Sequence, residues 1–221
     1  MMDRRRMLTT LLAGGAATPF AFEALVRDAL ARDSRTGLRG FRGDVSINGA
    51  PAGFNMEIRP GDTIRTGPGS EAIYVLGRDA FLQRGESQVV FGSGAAASLM
   101  RVITGKLLSV FDKGQRRIAT PAATIGIRGT GCYIEAAEER TYFCLCYGEA
   151  ELARNSAPDQ REIIRTQHHD KPLWLSDKAG VDMMSAARVI NHTDAELTLL
   201  EGLVGRKPPF AGAGWPPGNG Y

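Results

Sequence analysis

Three cysteines and two adjacent histidines are the residues of this chain whose types and spacing could do chemistry: Cys132, Cys144, Cys146, His168 and His169. Three thiolates and one imidazole would make a complete tetrahedral set for Zn²⁺, or a soft site for copper or iron. Adjacent residues of a strand face opposite sides, so only one of the two histidines could join such a site. The spacing matches no standard zinc motif, so the prediction rests on the residue types. On that basis we predict these five residues as candidate ligands of a metal ion.

A disulfide is the main alternative for the same cysteines. The stretch GCYIEAAEERTYFCLCYGE is typical of a β-hairpin, and a turn centred near Glu138 would place Cys132 opposite Cys144. Opposed residues of antiparallel strands have Cα atoms about 4.5–5.5 Å apart, within the range that a disulfide spans. Cys146 would then stay free on the same face. A third alternative is plain packing, since free cysteine behaves as a small buried hydrophobe.

The elements that must position these residues are β-strands. From about residue 41 onward, apolar runs of roughly 4–7 residues recur every 8–12 residues, with turn residues between them. Asn48-Gly49 is the strongest of these turn signals. The pattern predicts an all-β fold of many short strands: a sandwich, a barrel or a β-solenoid.

One helix is predicted near the C-terminus. Thr193 followed by Glu196 at the third helical position forms a capping box, and the leucines after it repeat at helical spacing. Gly205 and the prolines behind it predict the end of the helix. His192 precedes the capping box, and we expect it only to complete the entry into the helix.

The N-terminus predicts export. Arg4 and Arg5 precede a weakly apolar stretch that ends in a small-x-small cleavage site, and residues 4–8 resemble the twin-arginine signal. We expect a periplasmic or otherwise exported protein that meets the membrane only transiently through its signal segment. An uncleaved signal would leave it anchored to the membrane.

Two stretches carry a family resemblance. Residues 43–82, with the Gly-x-Val-x-x-Asn-Gly turn and a Gly-Asp-x-Ile-x-Thr-Gly segment, resemble the opening of the FecR domain. Residues 118–135 resemble the later signature of that domain, in which Thr-Pro precedes a strand that ends in Arg-Gly-Thr. The signature residues here are Thr120, Pro121, Arg128, Gly129 and Thr130.

The resemblance implies an extracytoplasmic domain with a β-solenoid or rolled sheet. FecR regulators carry a cytoplasmic anti-sigma segment and a membrane helix ahead of this domain. Only about 40 residues precede the domain here, so we do not transfer the sigma-binding role. The predicted organisation is an export signal over residues 1–31, a linker over 32–40, a FecR-like β domain over 41–175, a C-terminal helical extension over 176–207 and a Gly/Pro-rich tail over 208–221.

The leading functional prediction is a noncatalytic binding, scaffold or regulatory module of the cell envelope, with a protein or an envelope glycan as its partner. The alternative is a metal- or redox-cofactor protein that uses the cysteine and histidine cluster. No catalytic triad or carboxylate pair is apparent, so we do not predict an enzyme. A formal net charge of +3 with no concentrated basic patch also speaks against nucleic-acid binding.

Overall fold

The computed structural model of the protein describes residues 36–54 and 56–211. The predicted export signal, including Arg4 and Arg5, and residues 212–221 of the predicted tail lie outside these residues. Within the described residues, no helix combines the length and the apolar character that crossing a membrane requires.

The described chain consists of fifteen strands, a short 3₁₀ turn at Gly94–Ala96 and one α-helix, α1, at Asp194–Leu203. The strands are β1 Gly37–Arg42, β2 Val45–Ile47, β3 Ala50–Pro51, β4 Thr63–Thr66, β5 Glu71–Leu76, β6 Asp79–Gln83, β7 Ser87–Phe91, β8 Leu99–Val110, β9 Gln115–Ala119, β10 Ala123–Arg128, β11 Gly131–Ala136, β12 Thr141–Arg154, β13 Ala157–Thr166, β14 Pro172–Leu175 and β15 Met184–Ala186.

The strands form two sheets that share two long members. Sheet A has the order β1-β5-β6-β8-β11-β12-β14-β15 and is antiparallel throughout. Sheet B has the order β3-β2-β4-β7-β8-β9-β10-β12-β13, and only β8 and β9 are parallel in it. The two sheets face each other and close in a barrel-like way, because β8 and β12 each run through both.

A glycine stands where each long strand passes from one sheet to the other. Gly105 of β8 has φ +89° and Gly148 of β12 has φ +100°, a region that favours glycine. A side chain at Gly105 would collide with Ser87, and a Cβ atom at Gly148 would lie 2.6 Å from Cγ2 of Thr130. Both bends therefore depend on the absence of a side chain.

Apolar side chains form two separate clusters. The inner cluster lies between the sheets and takes residues from both, including Phe81, Val89, Ile125 and Phe143. The outer cluster lies on the other face of sheet A and is covered by the C-terminal helix. Strands β11 and β12 are buried on both faces because they separate the two clusters.

The C-terminal helix begins as the sequence predicts. The Thr193 side chain accepts a hydrogen bond from the Glu196 backbone, and the Glu196 carboxylate accepts one from the Thr193 backbone at 2.9 Å. Leu197, Leu199 and Leu200 are fully buried against sheet A. The capping box and the docking of the apolar face are both confirmed.

The fold class is confirmed as mostly β with a C-terminal helix, whereas the solenoid arrangement is not confirmed. Two predicted boundaries differ from the structure. Strand β1 begins at Gly37, inside the predicted linker, and its Leu38 is buried in the inner core. Strand β15 belongs to the predicted helical extension but pairs with β14 and so extends sheet A.

The predicted pairing of Cys132 with Cys144 is wrong. The β11–β12 ladder places Cys132 opposite Leu145, and Tyr133 opposite Cys144. A shift of one residue sends a side chain to the other face of a sheet. Cys132 therefore points into the inner core and Cys144 into the outer cluster, so a disulfide between them has no suitable geometry. The three cysteines are free thiols in this structure.

Candidate metal centre

Two thiols on strand β12 form the base of the candidate site. Cys144 and Cys146 are two residues apart, so both point to the outer face of sheet A, where both are fully buried. The Cys146 Sγ atom lies 3.8 Å from the Cys144 carbonyl oxygen. The sheet therefore presents a pair of thiols to whatever covers this face.

The β13–β14 connection supplies the first imidazole. His169 has φ +53°, which is uncommon for a residue with a side chain, and its backbone N–H donates to the Cys146 carbonyl at 3.0 Å. Its ring comes to rest beside the thiols, with Nδ1 3.5 Å from the Cys144 Sγ atom. An unfavourable backbone conformation at a residue held this firmly is typical of functional sites.

The residue ahead of helix α1 supplies the second imidazole. His192 is buried and stacks on the Tyr133 ring at a centroid distance of 4.6 Å. Its Nε2 atom lies 3.1 Å from Nδ1 of His169. The Nδ1 atom of His192 donates to the Ile190 carbonyl at 2.6 Å. Because a carbonyl can only accept, the proton of neutral His192 is on Nδ1, and Nε2 carries a lone pair.

An aspartate fixes the other histidine in the same way. His169 Nε2 lies 3.1 Å from the carboxylate of Asp194, so a neutral His169 carries its proton there and a lone pair on Nδ1. Nδ1 of His169 and Nε2 of His192 then turn lone pairs toward each other. Such an arrangement needs a proton or a cation between the rings.

His168 contacts the same aspartate from outside. Its Nε2 lies 2.9 Å from both carboxylate oxygens of Asp194. The His168 side chain is thus directed at the carboxylate, while that of His169 also reaches the thiols. Of the two histidines, His169 joins the cysteines, but both lie in the β13–β14 loop, so strand alternation is not the reason.

Hydrogen bonds within the cluster shift the pKa values of Cys144 and His169 in the directions that favour their charged forms. A hydrogen bond from the Cys146 thiol, supported by His169 and His192, lowers the pKa of Cys144 to about 3 against the effect of burial. Burial raises the pKa of Cys146 well above its usual range, and the neighbouring Cys144 raises it further. Burial lowers the pKa of His169, but Asp194 and Cys144 outweigh it and raise the value to about 9. A Cys144 thiolate therefore faces a His169 imidazolium.

Two of the six distances between the four donor atoms are close to those of a tetrahedral zinc site. The ligand atoms of Cys144, Cys146, His169 and His192 all lie within 4.8 Å of one another, and all four residues are buried. Bonds of about 2.0–2.1 Å from zinc to nitrogen and about 2.3 Å to sulfur give tetrahedral edges of about 3.3 Å between nitrogens and about 3.5 Å between nitrogen and sulfur. The observed distances are 3.1 Å and 3.5 Å. The other four distances are at most 4.8 Å, so the four donors surround a space in which an ion could be bound.

The structure brings together some of the predicted ligands and changes the rest of the set. Cys144, Cys146 and His169 converge as the prediction requires. Cys132 does not, because it lies on the opposite face of sheet A, and His168 contacts Asp194 instead. His192, which sequence reasoning assigned only to the helix entry, completes the cluster. Its position directly before a strong N-cap was the available signal, since such a residue is fixed at the point where the helix docks.

The family-signature residues lie in turns or next to them, and none of them belongs to the cluster of cysteines and histidines. Thr120 and Pro121 form the β9–β10 turn, in which the Thr120 hydroxyl donates to the Ala123 carbonyl at 2.9 Å. Gly129 has φ +65° between β10 and β11, next to the buried Thr130. Arg128 is exposed at the end of β10. Thr120 and Pro121 thus turn the chain within sheet B, and Gly129 and Thr130 carry it from sheet B to sheet A.

Comparisons with known proteins show a partial likeness in fold. No family model and no curated protein matches the chain. Two solved structures of a "putative anti-sigma factor" from Parabacteroides distasonis ATCC 8503, at 1.65 and 2.50 Å resolution, are similar to it with TM-scores of 0.47 and 0.46. Each has 10% sequence identity, and the match covers 57% of this chain and 60% of that one. A likeness this distant carries no functional argument, and the FecR resemblance stays a prediction.

Proposed function

We propose that the protein binds one Zn²⁺ ion through Cys144, Cys146, His169 and His192. The observation that carries this proposal is the convergence of two imidazole nitrogens, 3.1 Å apart, beside two buried thiols. The far nitrogens are held by the Ile190 carbonyl and by Asp194. Such outer contacts fix the orientation and the protonation of metal-binding histidines.

Charge and softness favour zinc among the metals. Two thiolates and two neutral imidazoles carry a charge of −2, which Zn²⁺ neutralises completely. A neutral centre suits a buried site, because an uncompensated buried charge is expensive. Tetrahedral sets of two sulfur and two nitrogen ligands are typical of zinc, whereas Cu⁺ would leave a net charge here.

The proposed centre is structural rather than catalytic. Catalytic zinc sites keep one position open for water or substrate, whereas structural sites have four protein ligands. Here four protein side chains supply the donors, and they are all buried. The site therefore supports a noncatalytic module whose fold is fastened by an ion.

Metal analysis of the purified protein tests this proposal. We expect about one equivalent of zinc per chain, and Co²⁺ in its place should give the sulfur-to-cobalt absorption and the visible bands of a tetrahedral site. Cys144→Ser and Cys146→Ser should each lose bound metal. Cys132→Ser is the matched control and should keep it, since this thiol faces the other side of the sheet. A chain that binds no metal, or that loses it equally in Cys132→Ser, would refute the proposal.

We further propose that the protein works in the cell envelope with a protein or glycan partner. The twin-arginine-like residues Arg4 and Arg5 and the FecR resemblance support this location, and the twin-arginine route carries folded proteins with their cofactors inserted. Cell fractionation tests the location: the double variant Arg4→Lys, Arg5→Lys should stay in the cytoplasm. Equal export of this variant would contradict a twin-arginine route.

A further inference from the structure

We infer that the metal ion fastens the C-terminal segment, residues 187–211, to sheet A, so that docking of helix α1 responds to the metal. This inference rests on the proposed function and adds the regulation of the same site. Its basis is the origin of the four ligands. Cys144 and Cys146 belong to sheet A and His169 to the loop beside it, but His192 belongs to the segment that covers the sheet.

His192 stands at the point where the segment turns onto the sheet. Thr193, the next residue, is the N-cap of α1, and Asp194 opens the helix while accepting hydrogen bonds from His168 and His169. The ligand and the helix start are therefore rigidly joined. A bond from the ion to His192 would hold the first turn of α1 in its docked position.

The docked helix covers an apolar surface. Leu197, Leu199 and Leu200 are fully buried in the outer cluster. They pack there with the outward side chains of sheet A, which include Ile73, Val75, Leu82, Leu108, Tyr133 and Tyr142. Undocking of the C-terminal segment would expose this surface. Large exposed apolar patches on proteins mark interaction sites.

One arginine aligns the segment before an ion arrives. Arg84, which directly follows strand β6, donates to the Asn191 carbonyl at 2.6 Å and to the Glu196 carboxylate at 2.5 Å. These two contacts lie on either side of His192 in the chain, so docking brings its imidazole to the thiols. The ion then binds the docked state through four ligands, and the undocked state offers it only three.

Ion binding and docking of the C-terminal segment depend on each other through thermodynamic linkage. An ion that binds the docked state more tightly stabilises that state, and the factor by which docking improves ion binding is the factor by which a saturating ion favours docking. At free zinc of about 100 times its dissociation constant from the docked state, the fraction of undocked segment falls by up to about 100-fold. A change in free metal would therefore control exposure of the outer face of sheet A.

Hydrogen exchange on the full-length protein tests the inference, with zinc added or removed by a chelator. In wild type, we expect metal removal to accelerate exchange of amides in residues 192–203 by about 10-fold to 100-fold, at the zinc excess stated above. Exchange in strand β8, which runs through both sheets, should change much less. Cys146→Ser should exchange like the metal-free wild type and should not respond to zinc. Cys132→Ser should respond as wild type does.

The outcomes separate this inference from the proposed function. If the protein binds one zinc but helix exchange is the same with and without it, the inference is wrong and the metal site stands. If no zinc binds, the proposed function itself fails. If metal removal accelerates exchange throughout the chain to the same extent, the ion supports the whole fold rather than this segment, and the inference is again refuted. Because the main comparison uses wild type, a variant that fails to fold does not affect it.

Discussion

A single carboxylate, Asp194, orients one of the two nitrogen ligands of the proposed centre, His169. Asp194 accepts hydrogen bonds from His168 and His169, and through His169 it decides which imidazole nitrogen faces the thiols. The two histidines hold the pKa of Asp194 below its usual range against the effect of burial. The carboxylate is therefore charged at neutral pH, and it strengthens His169 as a ligand.

We expect Asp194→Asn to weaken zinc binding by about 10–100-fold, the usual effect of losing an outer partner of a metal-binding histidine. An amide carries no charge and cannot accept from both histidines as well as a carboxylate does. Competition with a chromophoric chelator measures the affinity. Asp182→Asn is the control, since Asp182 is an exposed aspartate in the same C-terminal extension. Equal affinities in the two variants would show that Asp194 has no part in the site.

At the scale of single elements, the capping box of α1 is the device that positions His192. The Thr193 hydroxyl accepts from the Glu196 backbone at 3.3 Å, and the Glu196 carboxylate returns the interaction. Glu196 is also paired with Arg84 of sheet A. The cap therefore joins the start of the helix to the sheet. It also supplies hydrogen-bond partners to backbone N–H groups that the helix itself leaves unpaired.

Thr193→Ala should lower the free energy of unfolding by about 0.5–2 kcal/mol, which is the usual value of such a cap. Thr198→Ala makes the same change within the same helix, where the hydroxyl only bonds back to the Asp194 carbonyl at 2.8 Å. That variant should change stability far less. Denaturant unfolding of the metal-free protein measures both. A larger loss in Thr198→Ala would contradict the role assigned to the cap.

Local patterns predicted the elements better than their registers. Alternation along β12 correctly placed Cys144 and Cys146 on one face, and the capping box correctly placed the start of α1. The hairpin register failed by one residue, because the turn between Ala136 and Thr141 is centred between Glu138 and Glu139 rather than on Glu138. That single residue moved Cys132 to the other side of the sheet.

At the scale of the whole molecule, two long strands join the sheets. Strands β8 and β12 bend at Gly105 and Gly148, and each contributes its two halves to different sheets. The thiols of the proposed site lie on the sheet A half of β12, four and two residues before its bend. The geometry of the bend therefore bears on the direction in which the thiols point.

Gly105→Ala and Gly148→Ala should each lower the free energy of unfolding by at least about 2 kcal/mol. Positive φ costs a residue with a side chain about 1–2 kcal/mol, and the collisions with Ser87 and Thr130 add to this. Gly126→Ala is the matched control, because a Cβ there would lie an ordinary 3.7 Å from Glu151 and φ is not positive. Denaturant unfolding distinguishes them. Equal losses of stability in all three variants would show that the bends have no particular requirement for glycine.

Long-range arrangement is the part that the sequence could not supply. Strand spacing predicted the mostly β class, but nothing in a single strand shows that β8 and β12 serve two sheets. For the same reason His192, 46 residues beyond Cys146, could not be assigned to the thiols. Its place depends on how the C-terminal segment crosses the outer face of sheet A, which is decided by the packing of α1.

The distribution of the three thiols over two faces of sheet A has a practical consequence. Cys132 lies in the core between the sheets, and burial raises its pKa well above the usual range, so an alkylating reagent should reach it only when the whole fold opens. Cys144 and Cys146 should become reactive as soon as the C-terminal segment lifts. Site-resolved alkylation rates would thus report global and local opening separately, within one unlabelled molecule.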